Sequence, residues 1–432
     1  MFLFLRYNSS MEAENNLSKN NNEKEAVKAP EEKKSKKSLF VGVSLSVIVL
    51  VSVITAVIVT NIIQNNKKDD GTADDYSQVV EGDNTELTSG SVTTTIGGKS
   101  ITYKAAYLVD GIDAVISSGV YESTNDDEVV FLVINGGSLK IDGEVTINKT
   151  GSESFQGRGD NYSFYGMNSA IVVAGEDSSV DINGAKINTS VSGANALVAT
   201  DDATAMISAT EIATSKDNSR GLHATYGGMI NADNVAISTQ GGSCATLATD
   251  RGAGTVVANN MTLSTAGAGS PLIYSTGKIT VTNSTGTATG AQIAVVEGKN
   301  SISLQGCEFS ANGNGNRNGV DNAGVMIYQS MSGDASVGTG SFTATDCILT
   351  VLSSSNVYNE TPFFFITNTD ATIDLTSTNI SFSASEKFIS ALGTSEWGRS
   401  GNNGGNVTIS LSDINATNME IESDSISSVS GI

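Results

Sequence analysis

This sequence contains few of the residues on which catalytic and metal sites commonly depend. Its 432 residues include three cysteines, one histidine and one tryptophan. Three cysteines are too few for a disulfide framework. A single histidine provides neither a metal-binding cluster nor a partner for an identifiable serine or cysteine nucleophile. We therefore expect His223 to be a surface residue or a minor ligand contact.

Basic residues are scarce after the first 68 positions. Residues 69–432 hold 14 of the 24 basic side chains but 40 of the 46 acidic ones, which gives this part a net charge of −26. Such an acidic surface repels phosphate backbones, so we expect no nucleic-acid partner. The same composition suits an exported, soluble domain.

One long stretch near the N-terminus has no charge at all. Residues 39–63 are mainly apolar and could cross a hydrocarbon core of about 30 Å. The four lysines between positions 33 and 37 favour a cytoplasmic N-terminus. A cleaved secretory signal is the alternative interpretation. The predicted order is a disordered cytoplasmic segment at 1–38, a transmembrane helix at 39–63, a flexible linker at 64–90 and an extracellular domain at 91–432.

After residue 70 the sequence lacks the apolar i, i+3, i+4, i+7 pattern of helices, and short β-branched runs recur instead. We call the first apolar residue of each repeated unit its anchor. The anchors are Leu139, Val180, Ala205, Ile230, Val256, Ile279, Ile302, Phe342, Ile373 and Val407. From Val180 to Ile302 they are 25, 25, 26, 23 and 23 residues apart, a period typical of solenoids.

Each unit predicts three short strands. Positions i, i+2 and i+7 from the anchor are apolar in most units, which indicates half-buried strands. Pairs such as Asn183-Gly184 and Asp233-Asn234 lie between them and tolerate the left-handed backbone of a sharp corner. The third strand consists of small or apolar residues, as at 196–199. We therefore predict an all-β fold, a right-handed parallel β-helix solenoid of about ten coils, preceded by the transmembrane helix.

Two cysteines occupy equivalent positions in successive units. Cys307 and Cys347 both lie five residues after an anchor, where side chains are expected to point inward. One interpretation is that they are buried as two small hydrophobic residues. The other is a strained disulfide between stacked coils.

The turn after the third strand brings polar residues of successive coils into register along one edge. Candidate ligand-binding residues at this edge are Tyr226, Asp250, Arg251, Glu297 and Lys299. Candidate metal ligands are Asp201, Asp202 and Asp250, because Ca²⁺ takes six to eight oxygen ligands. The alternative is that these are solvated turn residues and that the protein needs no cofactor.

The connections lengthen after Ile302, where the next anchors follow at intervals of 40, 31 and 34 residues. The inserted loops add Tyr358, Trp397 and Arg399 as candidate ligand-binding residues. An exposed tryptophan with polar neighbours suits stacking on a sugar ring, whereas Trp397 could equally fold against the side of the solenoid. The last unit has no obvious polar cap, so we expect either that a partner covers it, as in self-association at the C-terminal coil, or that the chain is a truncated version of a longer solenoid.

The repeats resemble the right-handed parallel β-helix, or pectin-lyase-like, superfamily. The segments that carry a further likeness, to adhesin-like surface proteins of bacteria, are FYGMNSAIVVA, SRGLHATYGG, LATDRGAGTV, AVVEGKNSI and GVMIYQSMSGDA. The resemblance extends over residues 136–432 and implies the β-helix fold. Its functional implications range from lyases and hydrolases to carbohydrate-binding proteins and adhesins.

The enzyme motifs of this superfamily are incomplete in the sequence. Polygalacturonase-like members carry N-x-D, D-D, G-H-G and R-x-K in that order. Here N-x-D occurs at 231–233 and 368–370, both after Asp201-Asp202, and neither G-H-G nor R-x-K occurs. Proline occurs only at 30, 271 and 362, so the R-x-P-x-x-R segment of pectate-lyase-like members is missing too. A lyase could still operate with Ca²⁺ and one base, for which Asp250, Arg251 and Lys299 are candidates.

The sequence thus predicts a membrane-anchored, extracellular β-helix that acts without catalysis as an adhesin or glycan-binding surface protein. Its predicted partner is a polysaccharide or another ligand on a host or cell surface. A Ca²⁺-dependent polysaccharide lyase or glycoside hydrolase is the first alternative. A structural stalk is the second.

Overall fold

The computed structural model describes residues 84–311, 323–330, 332–352, 362–394 and 403–431. These residues form 34 strands, numbered β1 to β34 in chain order, and one short helix, α1 (Asp160–Ser163). The predicted transmembrane helix at 39–63 and the segment before it lie outside the described residues. Within the described ranges, no helix has the length and apolar character needed to span a membrane.

Sheet A has 13 strands, all parallel to their neighbours except β1, which forms an antiparallel hairpin with β2. Its strands are β1 (Gly90–Ile96), β2 (Lys99–Asp110), β4 (Val129–Ile134), β6 (Ile171–Ala174), β9 (Leu197–Thr200), β12 (Leu222–Ala224), β15 (Leu247–Thr249), β18 (Ile273–Ser275), β21 (Ala294–Glu297), β24 (Val325–Tyr328), β27 (Phe364–Thr367), β30 (Ile389–Ala391) and β33 (Ile421–Ser423).

Sheet B has 21 strands in two parallel ladders, B1 and B2. Ladder B1 consists of β3 (Asp113–Ser123), β5 (Ser138–Lys149), β7 (Ser179–Asn183), β10 (Thr204–Ser208), β13 (Met229–Asp233), β16 (Thr255–Asn259), β19 (Lys278–Thr282), β22 (Ser301–Gln305), β25 (Gly340–Thr345), β28 (Ala371–Thr376), β31 (Asn406–Ser412) and β34 (Ser428–Ser430). The second part of β5 belongs to ladder B2, where it pairs with β8. The later strands of ladder B2 are β8 (Lys186–Thr189), β11 (Glu211–Thr214), β14 (Ala236–Thr239), β17 (Thr262–Thr265), β20 (Thr285–Ala288), β23 (Glu308–Ala311), β26 (Ile348–Val351), β29 (Asn379–Ser381) and β32 (Asn415–Ala416). In the regular part of the fold, each coil contributes one strand to sheet A, then one to B1 and one to B2.

The strand register confirms nearly all the predicted anchors. Leu139 pairs with Val180, and each later anchor pairs with the next as far as Ile373. The last anchor is wrong by two residues, because Ile409 rather than Val407 lies opposite Ile373. Val407 and Ile409 are both buried, so the alternation of buried and exposed residues could not show which of them is the anchor. Strands before Leu139 and after Ile409 extend the helix beyond the predicted ten coils.

Between ladders B1 and B2 the chain turns at a residue in the left-handed region, as the sequence predicted. Corner residues with φ between 51° and 81° are Gly184, Asn234, Asn260, Asn283, Gly306 and Asp346. Their amides continue the bonding between coils: Asn234 N donates to Asn259 O (3.0 Å), and Asn260 N donates to Thr282 O (3.1 Å). Ala209 occupies the same corner position with φ 46°, although alanine disfavours it.

The inward side chains of the three ladders form one continuous apolar core from Val109 to Ile409. Near the first coils, the rings of Tyr107, Tyr121 and Phe131 pack with centroids 5.0 to 5.2 Å apart. These aromatic contacts fill the interior where the stack of coils begins.

The first B1 strand is covered by residues that the sequence assigned to the linker at 64–90. Thr85 N donates to Val115 O (2.8 Å), and Val115 N donates to Thr85 Oγ1 (2.9 Å). Asn84 Oδ1 accepts a hydrogen bond from Ser117 N (2.7 Å). The last residues of the predicted linker therefore belong to the β-helix and satisfy the edge of β3.

Cys307 and Cys347 lie in successive coils, are buried and are not joined by a disulfide. Ile348 N, next to Cys347, donates to Cys307 O (2.8 Å). The structure thus supports the interpretation of these residues as buried thiols. A hydrogen bond with Cys347 and burial raise the pKa of the Cys307 thiol, which disfavours its ionisation.

Candidate functional site

The turns after the sheet A strands place three of the predicted ligand-binding and metal-ligand residues in consecutive coils. Asp202 N donates to Tyr226 O (3.0 Å), and Tyr226 N donates to Arg251 O (3.0 Å). The register predicted for this edge is therefore present. These residues lie beside the outward face of sheet A, which α1 and its flanking loop partly cover.

Arg251 connects two loops that are far apart in the sequence. Its Nη1 donates to Asp160 Oδ2 (3.2 Å) in α1, and its Nε and Nη2 donate to Asp334 Oδ1 (3.1 and 2.5 Å). The two aspartates are 91 and 83 positions from Arg251 in the chain. The guanidinium also lies 4.0 Å from the centroid of the Phe164 ring. We call Arg251, Asp160 and Asp334 the clasp.

Two stacked tyrosines lie next to the clasp. The rings of Tyr165 and Tyr226 are 5.4 Å apart and nearly parallel, and their hydroxyls are 3.0 Å apart. Tyr103 donates its hydroxyl hydrogen to the main-chain oxygen of Tyr165 (2.7 Å), which fixes the stack to the N-terminal hairpin. Lys99 Nζ lies 5.2 Å from the Tyr165 centroid. Tyr165 is buried, whereas Tyr226 is half-buried.

Glycines make room for the Tyr226 ring. A Cβ atom on Gly97 would lie 2.3 Å from the ring, and one on Gly252 would lie 2.5 Å from it. Both glycines also have positive φ, 57° and 83°. A side chain at either position would therefore displace Tyr226 and strain the turn.

A buried pair of charged side chains lies close to the clasp. Asp250 is 4% exposed, and its Oδ2 is 3.4 Å from Arg220 Nη2. Its Oδ1 accepts the main-chain N–H of Arg251 (3.0 Å). Burial raises the pKa of Asp250 to about 7, although Arg220 opposes this change. Near neutral pH this carboxyl group is therefore partly protonated.

His223 is fully buried rather than at the surface, so that expectation is wrong. Its Nε2 lies 2.7 Å from Ser163 O, because the α1 loop covers the outward side of β12. Burial and the nearby charge of Arg220 lower the pKa of His223 well below 6.5. The neutral ring therefore donates through Nε2 to the carbonyl.

Glu297 is buried, and both of its carboxylate oxygens accept hydrogen bonds from neighbouring residues. Its Oε2 accepts hydrogen bonds from the hydroxyls of Tyr274 (2.5 Å) and Tyr328 (3.0 Å). Its Oε1 accepts bonds from the main-chain nitrogen of Ser330 (3.3 Å) and from the hydroxyl of the same residue. Lys299, predicted as a ligand-binding residue at the same edge, is exposed, and its main-chain nitrogen donates to Ser336 O (3.0 Å).

Asp201, Asp202 and Asp250 do not form the predicted metal-ligand set. In the described ranges, no three histidine, cysteine, aspartate or glutamate side chains are placed to hold a metal ion. Asp250 faces Arg220, whereas Asp201 and Asp202 occupy a turn with φ of 56° and 64°. The sequence register predicted neighbouring backbones, but it could not show that the side chains diverge.

Three further candidates, Tyr358, Trp397 and Arg399, lie outside the described residues. The sequence also missed contributors to the site, namely Asp160, Tyr165, Arg220, Tyr274, Tyr328 and Asp334. Arg220 could have been found, since it precedes Tyr226 in the same repeat. No periodic signal could have found Asp334, because it lies in an inserted loop.

No family model and no curated protein matches this chain. Among solved structures it is similar to the endo-xylogalacturonan hydrolase from Aspergillus tubingensis, with 14% identity and a TM-score of 0.34. That similarity covers 74% of this chain and 88% of the other. The strand pairing confirms the predicted all-β fold of stacked, parallel β-helix coils.

Proposed function

We propose that this β-helix binds polysaccharide on the surface formed by the clasp and the Tyr165–Tyr226 stack, and does not cleave it. The observation that carries the proposal is the half-buried Tyr226 ring, which stacks on Tyr165, in a turn whose main chain is hydrogen-bonded to Arg251 and Asp202 in the neighbouring coils. Sugars present apolar ring faces together with hydroxyls, so they are recognised by aromatic rings next to fixed polar groups.

The burial and hydrogen bonding of the carboxyl groups favour binding over catalysis. A glycosidase usually needs two carboxyl groups that reach the scissile bond. Asp250 and Glu297 are 4% and 1% exposed, and both accept hydrogen bonds from the protein. Arg251, the candidate base of a lyase, is ion-paired with two aspartates, which stabilise its protonated form. These contacts make the enzyme the less favoured alternative.

We also propose that the domain is displayed outside the cell and attached to the membrane through residues 39–63. The length of that uncharged segment and the lysines before it support this placement. The net charge of −26 over residues 69–432 supports a ligand other than nucleic acid. The proposal does not require Ca²⁺ or any other cofactor.

A glycan array tests the binding proposal. We expect the wild-type protein to bind a subset of polysaccharides and Tyr226→Ala to lower the affinity by about tenfold, the equivalent of one aromatic contact of about 1.4 kcal/mol. Ile348→Ala, which truncates an exposed apolar side chain on ladder B2, is the matched control and should leave binding unchanged. If no glycan binds, the proposal fails and the stalk alternative takes its place.

A turnover assay separates binding from catalysis. Incubation with polygalacturonate and other uronate polymers, monitored by the absorbance of unsaturated products and by reducing ends, should show no reaction. Turnover that is abolished by Arg251→Ala would overturn the binding-only proposal and establish an enzyme.

A further inference from the structure

The clasp is part of a larger cluster in which carboxyl groups outnumber guanidinium groups. Four carboxyl groups and two guanidinium groups belong to it, those of Asp160, Asp250, Glu297, Asp334, Arg220 and Arg251. With every carboxyl group ionised, four negative and two positive charges leave the cluster with a net charge of −2. Uncompensated charge is costly away from water, so the cluster favours keeping a proton on one carboxyl group.

Asp250 is the member of the cluster best placed to keep that proton. It is 4% exposed, and its carboxylate accepts hydrogen bonds from Arg251 N (3.0 Å) and Arg220 Nη2 (3.4 Å). Glu297 is as deeply buried but accepts four hydrogen bonds, from two tyrosine hydroxyls and from the nitrogen and hydroxyl of Ser330. A buried carboxylate with fewer donors is the harder one to keep ionised. Burial accordingly raises the pKa of Asp250 to about 7.

Titratable and charged groups from several elements face Asp250. They are Arg220 before β12, Arg251 in the same turn, Tyr274 on β18, Glu297 on β21, Tyr328 on β24 and Asp334 in the loop at 332–338. Burial raises the pKa of both tyrosines well above 10 and lowers the pKa of His223, which lies near Arg220, well below 6.5. These three side chains therefore stay neutral between pH 6 and pH 8, the range in which Asp250 loses its proton.

The charge of Asp250 acts directly on one half of the clasp. The carboxylate of Asp334 lies close enough to Asp250 for its charge to raise the pKa of Asp250. Such coupling is reciprocal, so an ionised Asp250 repels the Asp334 carboxylate. This repulsion opposes the contacts of Asp334 with Arg251 Nε (3.1 Å) and Nη2 (2.5 Å). The effect therefore falls on the loop at 332–338, which carries Asp334.

We infer that Asp250 is a proton-dependent switch for the clasp. With the proton in place, Arg251 holds the loop at 332–338. When the proton is lost, repulsion between Asp250 and Asp334 loosens that loop. The clasp is thus closed in mildly acidic solution and loosened in mildly alkaline solution. The switch concerns the surface of the proposed function but does not depend on a bound sugar.

Hydrogen exchange with mass spectrometry on the full chain at pH 6 and pH 8 tests the switch. Exchange of residues 332–338 is expressed relative to the intrinsic rate of the same sequence at each pH, which removes the direct effect of pH. We expect the protection of this loop in the wild type to fall by about threefold to tenfold from pH 6 to pH 8, as for the loss of a partly exposed ion pair. Asp250→Asn, which cannot ionise, should keep the same protection at both pH values.

Two controls show whether the effect passes through Asp334. Asp374→Asn removes a carboxyl group from an exposed position on ladder B1 and should behave as the wild type does. Residues 155–167 contact Arg251 through Asp160 instead, so their protection should change less than that of residues 332–338. A far-ultraviolet circular dichroism spectrum verifies folding of both variants.

Three results would overturn the inference. They are unchanged protection of residues 332–338 in the wild type, a fall of the same size in Asp250→Asn, and a fall of the same size in residues 155–167. If Asp250→Asn does not fold, the comparison of the two loops in the wild type decides. The glycan array measures a separate property, so a failed switch leaves the binding proposal standing, and a failed array leaves the switch standing.

Discussion

At the scale of single residues, the burial of Asp250 links stability to pH. It is almost fully buried, and Arg220 compensates its charge only partly, so its pKa is about 7. In the unfolded chain the pKa would be 3.8. The folded state therefore binds the proton more tightly, and the stabilisation is complete below the unfolded value and is lost as pH rises through 7.

Asp250→Asn should remove this pH dependence. The stability of the wild type relative to the variant should be greatest near pH 4 and should decrease up to pH 7.5, as measured by urea denaturation. His223, whose pKa is lowered by burial, and Lys149, whose pKa burial lowers to about 8, titrate in both proteins, so the difference isolates Asp250. If the stability difference between the wild type and Asp250→Asn stayed constant from pH 4 to pH 7.5, the raised pKa of Asp250 would be contradicted. Asp374→Asn, which changes an exposed aspartate, is the control.

Among structural elements, the corners between ladders B1 and B2 show how the coils are stacked. The backbone turns through one left-handed residue in each regular coil, and the sequence places asparagine, glycine or aspartate there in most coils. Ala209 departs from that pattern with φ 46°. Its Cβ makes this conformation costly by about 1 kcal/mol.

Ala209→Asn should raise the free energy of unfolding by about 1 kcal/mol, because asparagine tolerates the left-handed region better than alanine does. The reciprocal change, Asn234→Ala at the equivalent corner of the next coil, should lower it by a similar amount. Urea denaturation at one pH measures both. If Ala209→Asn instead lowered the free energy of unfolding, the left-handed backbone of Ala209 would not be what reduces stability at this corner.

The clasp, unlike the corners, occurs only once: the side chain of Arg251 binds one loop at Asp160 and another at Asp334. Arg251→Ala should increase amide exchange by about threefold to tenfold in residues 155–167 and 332–338, as expected for the loss of partly exposed ion pairs. Arg158→Ala alters an exposed arginine in the same α1 loop and is the matched control. Hydrogen exchange with mass spectrometry reports both loops, and unchanged exchange in either loop would show that Arg251 does not restrain it.

The regular elements could be predicted because each coil repeats the same burial pattern. Ile230, Ala232 and Ile237 alternate as inward side chains must, and the corner at Asn234 follows from backbone sterics. Contacts that occur only once in the structure leave no repeating pattern in the sequence. The antiparallel β1–β2 hairpin, the burial of His223 under α1, and the pairing of Arg251 with Asp334 all depend on contacts between unlike segments. The sequence therefore predicted the scaffold and one edge of the site, but not how that edge is covered.

At the scale of the whole molecule, the two ends of the described β-helix differ. The hairpin and residues 84–88 cover the first coil, whereas Met419, Ile421 and Ile426 in the last described coil are 38%, 38% and 39% exposed. Parallel strands with a free edge can pair with another chain. The self-association predicted from the sequence stays a prediction for this coil.

Sedimentation velocity tests that prediction over a range of protein concentrations. We expect the wild type to form a concentration-dependent dimer and Ile421→Lys to shift the equilibrium toward monomer by about tenfold, because the lysine places a charge in the contact. Val257→Lys, at an exposed position on ladder B1, is the control for the added charge. A wild type that remains monomeric at all concentrations would rule out this contact.

The clasp also has a consequence for the order in which the chain folds. In a solenoid, coils stack on their neighbours and most contacts are local, so folding can spread from one coil to the next. Arg251 is an exception, because Asp160 precedes it by 91 residues and Asp334 follows it by 83. A chain that folds from its N-terminus can close this contact only after the coils leading to Asp334 have formed. The surface that we propose for sugar binding would therefore be completed late, so that a partly folded chain would be unable to bind.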